Sequence, residues 1–341
     1  GFRMQSKNKF FITIIFLLIL IYGCKTTNSD TTDTSKNQSY SQAKYFNMAG
    51  NTAKEKKDGT RAIYYYTKAI EADPDYIEAY LNRGEMYYYV NEHEKALADF
   101  DKVIELRPKE DKAYYFKGLL LNDDGNYNKA IENLNTAINL NDKAYEYYEA
   151  RSTAYEQINE YEKAFEDINT AIKLNQKSAK LYNLRGRLHE HFERTDDAIN
   201  DFKIATKLDP NDIWPYNGLL FIYIETKKHN EAFEIVNKMI KMKPSWIGIL
   251  YGIRGLLFSF RGQYKEAVED CNTGIRMYPQ NASLYNIRGK IYFDLKEYKK
   301  AIEDFDMAIK FALESQNTEK QDAIEYKQKT YEALSEMEGK K

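Results

Sequence analysis

The chain has 341 residues, with 50 Lys plus Arg against 52 Asp plus Glu, and its formal net charge at pH 7 is -2. Charge balance leaves no electrostatic footprint for nucleic acid, two cysteines exclude a disulfide scaffold, and 43% hydrophobic residues exclude a disordered chain. Thirty tyrosines, against six prolines and four histidines, point to one kind of site copied many times.

In chain order, Lys7 and Lys9 precede an unbroken apolar run from Phe10 to Tyr22, closed by Gly23 and Cys24. The run is shorter than the about 20 residues of a membrane-spanning helix. It has the length and flanking charge of a secretory signal. Ile21-Tyr22-Gly23-Cys24 resembles the bacterial lipobox. That resemblance implies that residues 1–23 are a lipoprotein signal peptide and that Cys24 carries a lipid. The protein would then be anchored in a bacterial cell envelope, at the outer membrane or the periplasmic face. An uncleaved signal anchor is the alternative reading. After Cys24, the stretch to Gln42 is rich in Ser, Thr, Asn, Asp and Lys. It buries too little apolar surface to offset its ordering entropy, so residues 24–42 are expected to form a flexible tether.

From residue 43 the chain repeats. Ala62, Ala96, Ala130, Ala164, Ala198, Ala232, Ala267 and Ala301 stand 34 residues apart, with a single step of 35 before Ala267. Twelve residues before them stand Gly50, Gly84, Gly118, Gly186, Gly255 and Gly289, with Ser152 and Leu220 in the other two copies. Twelve residues after them stand Pro74, Pro108, Pro210, Pro244 and Pro279, which stop one helix and open the next. Counted from 1 within a copy, small or apolar residues fall at 4, 8 and 11 and again at 20, 24 and 27. Both triplets mark one helix face. Two antiparallel helices per copy follow, and small residues at 8 and 20 let their backbones approach. Position 4 is Tyr in seven copies and position 11 is Tyr in four, which accounts for much of the tyrosine excess.

Period, phase and the Gly, Ala and Pro positions resemble the tetratricopeptide repeat. The copies are 43–76, 77–110, 111–144, 145–178, 179–212, 213–247, 248–281 and 282–315. The resemblance implies an all-α fold, one right-handed superhelical solenoid of about eight antiparallel helix pairs. Residues 316–341 hold a capping-box sequence, Thr318-Glu319-Lys320-Gln321, and should form a capping helix to about Met337, with Ile324, Tyr331 and Leu334 as its sparse apolar residues. In the third and fourth copies Asp142 and Gln176 replace the proline, and Asn141-Asp142 is expected to turn the chain there instead.

A second pair recurs. Arg83, Arg151, Arg185, Arg254 and Arg288 at position 7 are matched sixteen residues later by Asp99, Asp167, Asp201, Asp270 and Asp304. Where the Arg is missing the Asp is missing too, as in Ala49 with Tyr65 and Leu219 with Ile235, while Lys117 with Asn133 is intermediate. Joint loss points to contact, hence to structural ion pairs. The alternative is a ladder of arginines that grips a ligand.

No constellation for catalysis emerges, so a non-enzymatic role without cofactor is expected. His189 and His191, two apart on a helix, point to different sides. No HxxxH or CxxC spacing supplies a metal site. Cys271 takes the apolar position 24 and reads as core.

In the tetratricopeptide family the first helix of each pair lines a concave groove through positions 2, 5, 9 and 12, with help from 6 and 13. The early copies put polar sets there, such as Lys44, Asn47, Asn51 and Lys54, then Glu146, Glu149 and Glu156, then Lys180, Asn183, Arg187 and Glu190. Copies 6 and 7 instead present Trp214, Asn217, Phe221 and Ile224, then Ile249, Ile253, Leu256 and Phe260. An apolar patch on a face kept polar elsewhere marks a candidate site for a protein or peptide partner. The competing reading is internal packing. The family's carboxylate clamp is matched only by Asn51, Asn82 and Lys112, because Asn47 and Phe116 replace two of its cations. The resulting expectation is a membrane-tethered scaffold of the cell envelope that binds a partner segment in its groove. The alternatives are a self-associating structural protein and a co-chaperone-like adaptor.

Overall fold

The computed structural model describes residues 31–312 and 317–339. The signal-peptide segment, Cys24 and the first residues of the expected tether lie outside the described residues. The described residues are helical throughout, with seventeen helices and no strand among them. As expected of the solenoid, they form eight helix pairs followed by one further helix, and they group into two compact units, one ending at Lys143 and one beginning at Ala144. The boundary falls one residue before the border between the third and fourth copies.

The first unit holds three helix pairs. They are Thr31–Glu55 with Gly59–Ala72, Ile77–Tyr89 with His93–Leu106, and Asp111–Asp123 with Tyr127–Leu140. The second holds five pairs, from Tyr145–Gln157 with Tyr161–Leu174 to Ala282–Asp294 with Tyr298–Phe311, and then the helix Asn317–Gly339. Short connections make each pair antiparallel.

The opening helix corrects the tether boundary, because residues 31–42 are helical and continue into the first pair. From Lys36 to Gln42 all but Ser39 are exposed. The hydroxyls of Ser39 and Ser41 donate to the carbonyls of Lys36 and Asn37, and the Tyr40 ring packs 5.5 Å from Tyr76.

Within each pair the fit is set by positions 8 and 24. A Cβ added at Gly84 would fall 2.7 Å from the Phe100 ring, and one at Gly186 would fall 2.6 Å from Phe202. Phe100, Phe202 and Phe305 are fully buried as a result, each worth about 2 kcal/mol of apolar burial. Where position 8 grows to Leu220, position 24 shrinks to Val236, and both stay buried. Volume is conserved across the helix pair.

The two helices of a pair are joined through position 15, which is left-handed in all eight copies. It is Gly125 and Gly262 at φ 74° and 71°, but Lys57, Asn91, Asn159, Glu193, Lys227 and Lys296 at φ between 55° and 62°. At the far end of the pair, the proline-free copies turn as expected. Asn141 and Asn175 each accept from the backbone N–H two residues on, at 3.2 and 3.1 Å.

The last helix packs through a different face from the one its largest apolar residues suggested. Ile324 and Tyr331 are exposed, while Ala323 and Thr330 are fully buried. Tyr326 lies 6.0 Å from Phe305 and 6.1 Å from Phe293. Ala323 and Tyr326 fall where positions 8 and 11 of a ninth copy would lie. The last helix therefore takes the place of the first helix of a ninth repeat.

Candidate partner-binding site

The recurrent arginines and aspartates meet in the structure. Arg83 donates from Nε and Nη2 to the two oxygens of Asp99 at 2.8 and 2.7 Å, and Arg151 does the same to Asp167 at 2.8 and 2.6 Å. Arg185 grips Asp201, Arg254 grips Asp270 and Arg288 grips Asp304 with the same two-pronged geometry, at 2.6 to 2.8 Å. Burial pushes the carboxyls of Asp99, Asp167 and Asp304 up, against the pull of their arginines. Ring faces complete the enclosure. The guanidinium of Arg83 sits 5.7 Å from both Tyr80 and Tyr87, and Arg288 lies 5.6 and 5.8 Å from Tyr285 and Tyr292. Tyrosines at positions 4 and 11 flank position 7 on one helix face, so the tyrosine excess belongs to a cation sandwich.

A third contact escaped the sequence. The remaining nitrogen of Arg83 donates to Thr67 Oγ1 at 3.1 Å, that of Arg185 to Asn169 Oδ1 at 3.0 Å, and that of Arg254 to Asn237 Oδ1 at 2.8 Å. Arg288 donates likewise to Asn272. Each acceptor is position 25 of the preceding copy. Lys117 also reaches back, to Asp101 at 2.5 Å, and not to Asn133, which donates to the Lys129 carbonyl. With their hydrogen-bonding capacity spent on the fold, these arginines form a structural ladder.

His189 is buried with its ring edge-on to Phe165, and burial lowers its pKa. His191 stacks on Tyr161, so the two histidines do diverge. Cys271 is fully buried, and burial pushes its thiol up to about 12. No group of three or more His, Cys, Asp or Glu that could hold a metal occurs among the described residues. Nor is any described helix long and apolar enough to cross a membrane.

The groove positions of the first unit are engaged with one another. Asn82 donates to Asn47 at 3.0 Å and to Asn51 at 3.3 Å, and the Tyr66 hydroxyl donates to Asn51 at 2.8 Å. Lys54 pairs with Glu85 at 2.6 Å, and Phe116 is buried, stacked on Phe100. Asn51 and Asn82 are thus tied into a polar network, and Lys112 stands exposed without the other cations of a clamp.

The second unit differs. The groove positions of its first two copies are bridged by ion pairs, Glu149 with Lys180 and Glu156 with Arg187. In the next helix, Trp214–Glu225, the backbone N–H of Trp214 donates to Asp212 at 3.0 Å, and Pro215 lies in the first turn. One face buries Tyr216, Leu219, Leu220, Ile222 and Tyr223. The opposite face leaves Trp214 62% and Phe221 57% exposed, with Asn217 exposed between them. Ile224 packs on the unit's largest core cluster, as does Ile253 of the helix Ile247–Phe260. Leu256 is half-buried, Ile249 is exposed, and Phe260, 54% exposed, rests 4.4 Å from the His229 ring. Of the eight apolar-patch residues, then, Ile224 and Ile253 belong to internal packing, and Trp214 and Phe221 face solvent. The first helices of copies 7 and 8 approach closely along their length, whereas those of copies 6 and 7 do not. The extra residue of copy 6 lies between them, in the turn that holds Lys243 at φ 51°.

Glu190 and Glu225 flank this surface. Burial, and then the neighbouring Glu225, raise the Glu190 carboxyl above its ordinary range. Glu190 was visible as a groove residue in the sequence. Glu225 stands at position 13, which contributes to the groove in this family, but nothing in its spacing set it apart from the other charged residues.

Models of the tetratricopeptide repeat match residues 43–76, 77–110, 111–143, 149–213 and 282–312, more than half of the chain. No curated protein matches its sequence. Among solved structures, the chain is similar to PilF of Pseudomonas aeruginosa at 13% identity and a TM-score of 0.56, over 61% of this chain and 95% of that one. A tetratricopeptide repeat protein of Parabacteroides merdae ATCC 43184 is similar at 20% identity and a TM-score of 0.51, over 73% and 98%. The Cut9–Hcn1 hetero-tetramer of the APC/C is similar at 14% identity and a TM-score of 0.52, over 78% of this chain and 52% of that one, so the chain spans about half its length. At these identities the likeness is one of fold.

Proposed function

Because the chain belongs to the tetratricopeptide repeat family, we propose that it is a non-catalytic protein-interaction scaffold of the bacterial cell envelope, tethered to a membrane by a lipid on Cys24. It holds a segment of a partner protein against the first helices of copies 6 and 7. The observation that carries this reading is the exposure of Trp214 and Phe221, 62% and 57%, on a face whose counterparts in the preceding copy, Lys180 and Arg187, are polar and paired with Glu149 and Glu156. Large aromatic side chains that stand free of a core are the residue types that dominate interface energies. The lipobox-like Ile21-Tyr22-Gly23-Cys24 supports the tether.

The test is an affinity pull-down from envelope extract with the parent and with Trp214→Ala/Phe221→Ala. Each lost anchor costs about 2 kcal/mol of binding, so a partner retained by the parent should disappear from the double variant. Identical partner sets would refute the groove reading. Light scattering of the parent adds the self-association outcome, since a parent that dimerises through Trp214 makes a second copy the partner. For the tether, Cys24→Ser should release the protein from the membrane fraction, and undiminished attachment would leave the signal anchor as the explanation.

A further inference from the structure

Trp214, Asn217 and Phe221 follow the i, i+3, i+7 spacing of one helix face, and Glu225 extends the same stripe by one further turn. Lys54 meets Glu85, and Glu156 meets Arg187, at a separation of 31 residues; the same register sets Glu190, from the first helix of the preceding copy, beside Phe221, one turn from Glu225, and the neighbouring Glu225 adds to burial in raising the Glu190 carboxyl. Two other groove acids of this unit are neutralised, Glu149 by Lys180 and Glu156 by Arg187. Glu190 and Glu225 form no ion pair among the described residues. The one arginine that acts on Glu190, Arg187, has its guanidinium bonded to Glu156. An exposed aromatic stripe therefore ends in two acids whose charge this chain leaves unbalanced.

We propose that the occupant of this stripe is a cationic amphipathic helix of a partner protein, its apolar side chains on Trp214 and Phe221 and a lysine or arginine seated between Glu190 and Glu225. This rests on the groove reading above and names the chemistry of the partner. A cation there relieves the repulsion between the two carboxylates and gains two charge-assisted contacts. The same acids argue against a membrane as occupant, because an anionic leaflet would be repelled where the aromatic side chains would have to insert.

The experiment titrates the full chain, by calorimetry and by tryptophan fluorescence, with helical peptides of about four turns. One carries Leu and Phe along one face flanked by lysines, a second replaces the lysines with glutamates, and a third keeps the lysines and replaces the apolar face with serines. The lysine-flanked apolar peptide should bind, and the glutamate-flanked one should be weaker by about tenfold or more, with the difference shrinking as salt is raised. Glu190→Gln/Glu225→Gln should erase that discrimination, and Trp214→Ala/Phe221→Ala should weaken the lysine peptide while circular dichroism shows both variants folded. Equal binding of the lysine and glutamate peptides, with dependence on Trp214 intact, overturns the charge inference and leaves the groove reading standing. Binding indifferent to the Trp214 and Phe221 substitutions overturns both. The inference also falls if the serine peptide binds as well as the apolar one, if the lysine peptide does not bind, or if phosphatidylcholine vesicles shift the fluorescence in its place.

Discussion

A guanidinium gripped on two edges by a carboxylate from its own helix pair, and on the third by a neutral oxygen from the pair before, has few ways to rearrange. Arg83, Arg185, Arg254 and Arg288 are in that position, and the raised carboxyls of Asp99, Asp167 and Asp304 show that burial works against the pair. Copy 6 displays the alternative, with Leu219 and Ile235 in the same two places and Leu219 buried. Buried ion pairs are costly to break and cheap to replace. Asp99→Ala, which strands Arg83, should therefore destabilise the protein by about 3–5 kcal/mol. Arg83→Leu/Asp99→Ile, which copies repeat 6, should unfold in urea within about 1 kcal/mol of the parent or above it. Thr67 loses a donor in that variant, but its hydroxyl keeps its own bond to the Ile63 carbonyl. A double variant as unstable as the single one would show that the ladder is worth more than its apolar substitute.

At the scale of the helix pair, the turn at position 15 is the most uniform local feature of the fold, and six of its eight occupants have a side chain that the left-handed region disfavours. Gly125→Ala should lower stability by about 1 kcal/mol. Glu193→Gly should raise it by less, because the new glycine also loosens the unfolded chain. Thermal unfolding of the two variants gives the comparison, and an unchanged melting temperature for Gly125→Ala would contradict it. The helix pairs themselves were legible in the sequence because a packing constraint repeated eight times averages out local noise. Gly or Ser facing Ala, with a stop twelve residues on, leaves little choice of fold. Position 25 was not legible, because Thr67, Asn169 and Asn237 read as ordinary solvated residues until the arginine behind them is seen. Neither was the start of the opening helix. The sequence of residues 31–42 offers no apolar stripe that would announce a helix, and the packing of Tyr40 on Tyr76 is a contact across copies that spacing does not reveal. For the candidate site, spacing assigned a helix face but not a depth. Ile224 and Ile253 shared the pattern of Phe221 and yet went to the core.

On the scale of the whole molecule, the helix after the eighth pair sits as the first helix of a ninth repeat would. The helix Asn317–Gly339 places Ala323 and Tyr326 over Phe305 and Phe293, and Lys327 pairs with Asp306 at 2.5 Å. Removing that helix uncovers the ring cluster around Tyr285 and Phe305 without supplying a polar face. A chain truncated after Phe311 should therefore self-associate, and light scattering would reveal it; a monodisperse truncated chain would show that the cap is dispensable for solubility.

The reach of Arg83, Arg185, Arg254 and Arg288 toward the preceding copy also gives the row of helix pairs within a unit a direction. When a terminal pair frays from the C-terminal side, its arginine leaves with it, and the oxygen left behind on Thr or Asn can turn to water. When a pair frays from the N-terminal side, it takes that oxygen away from an arginine still buried between two rings and an aspartate. Losing a charged donor's partner costs more than losing a neutral acceptor's. Unzipping therefore runs more easily toward the N-terminus than away from it, and a chain pulled from its two ends would shed its repeats in an order written into position 25.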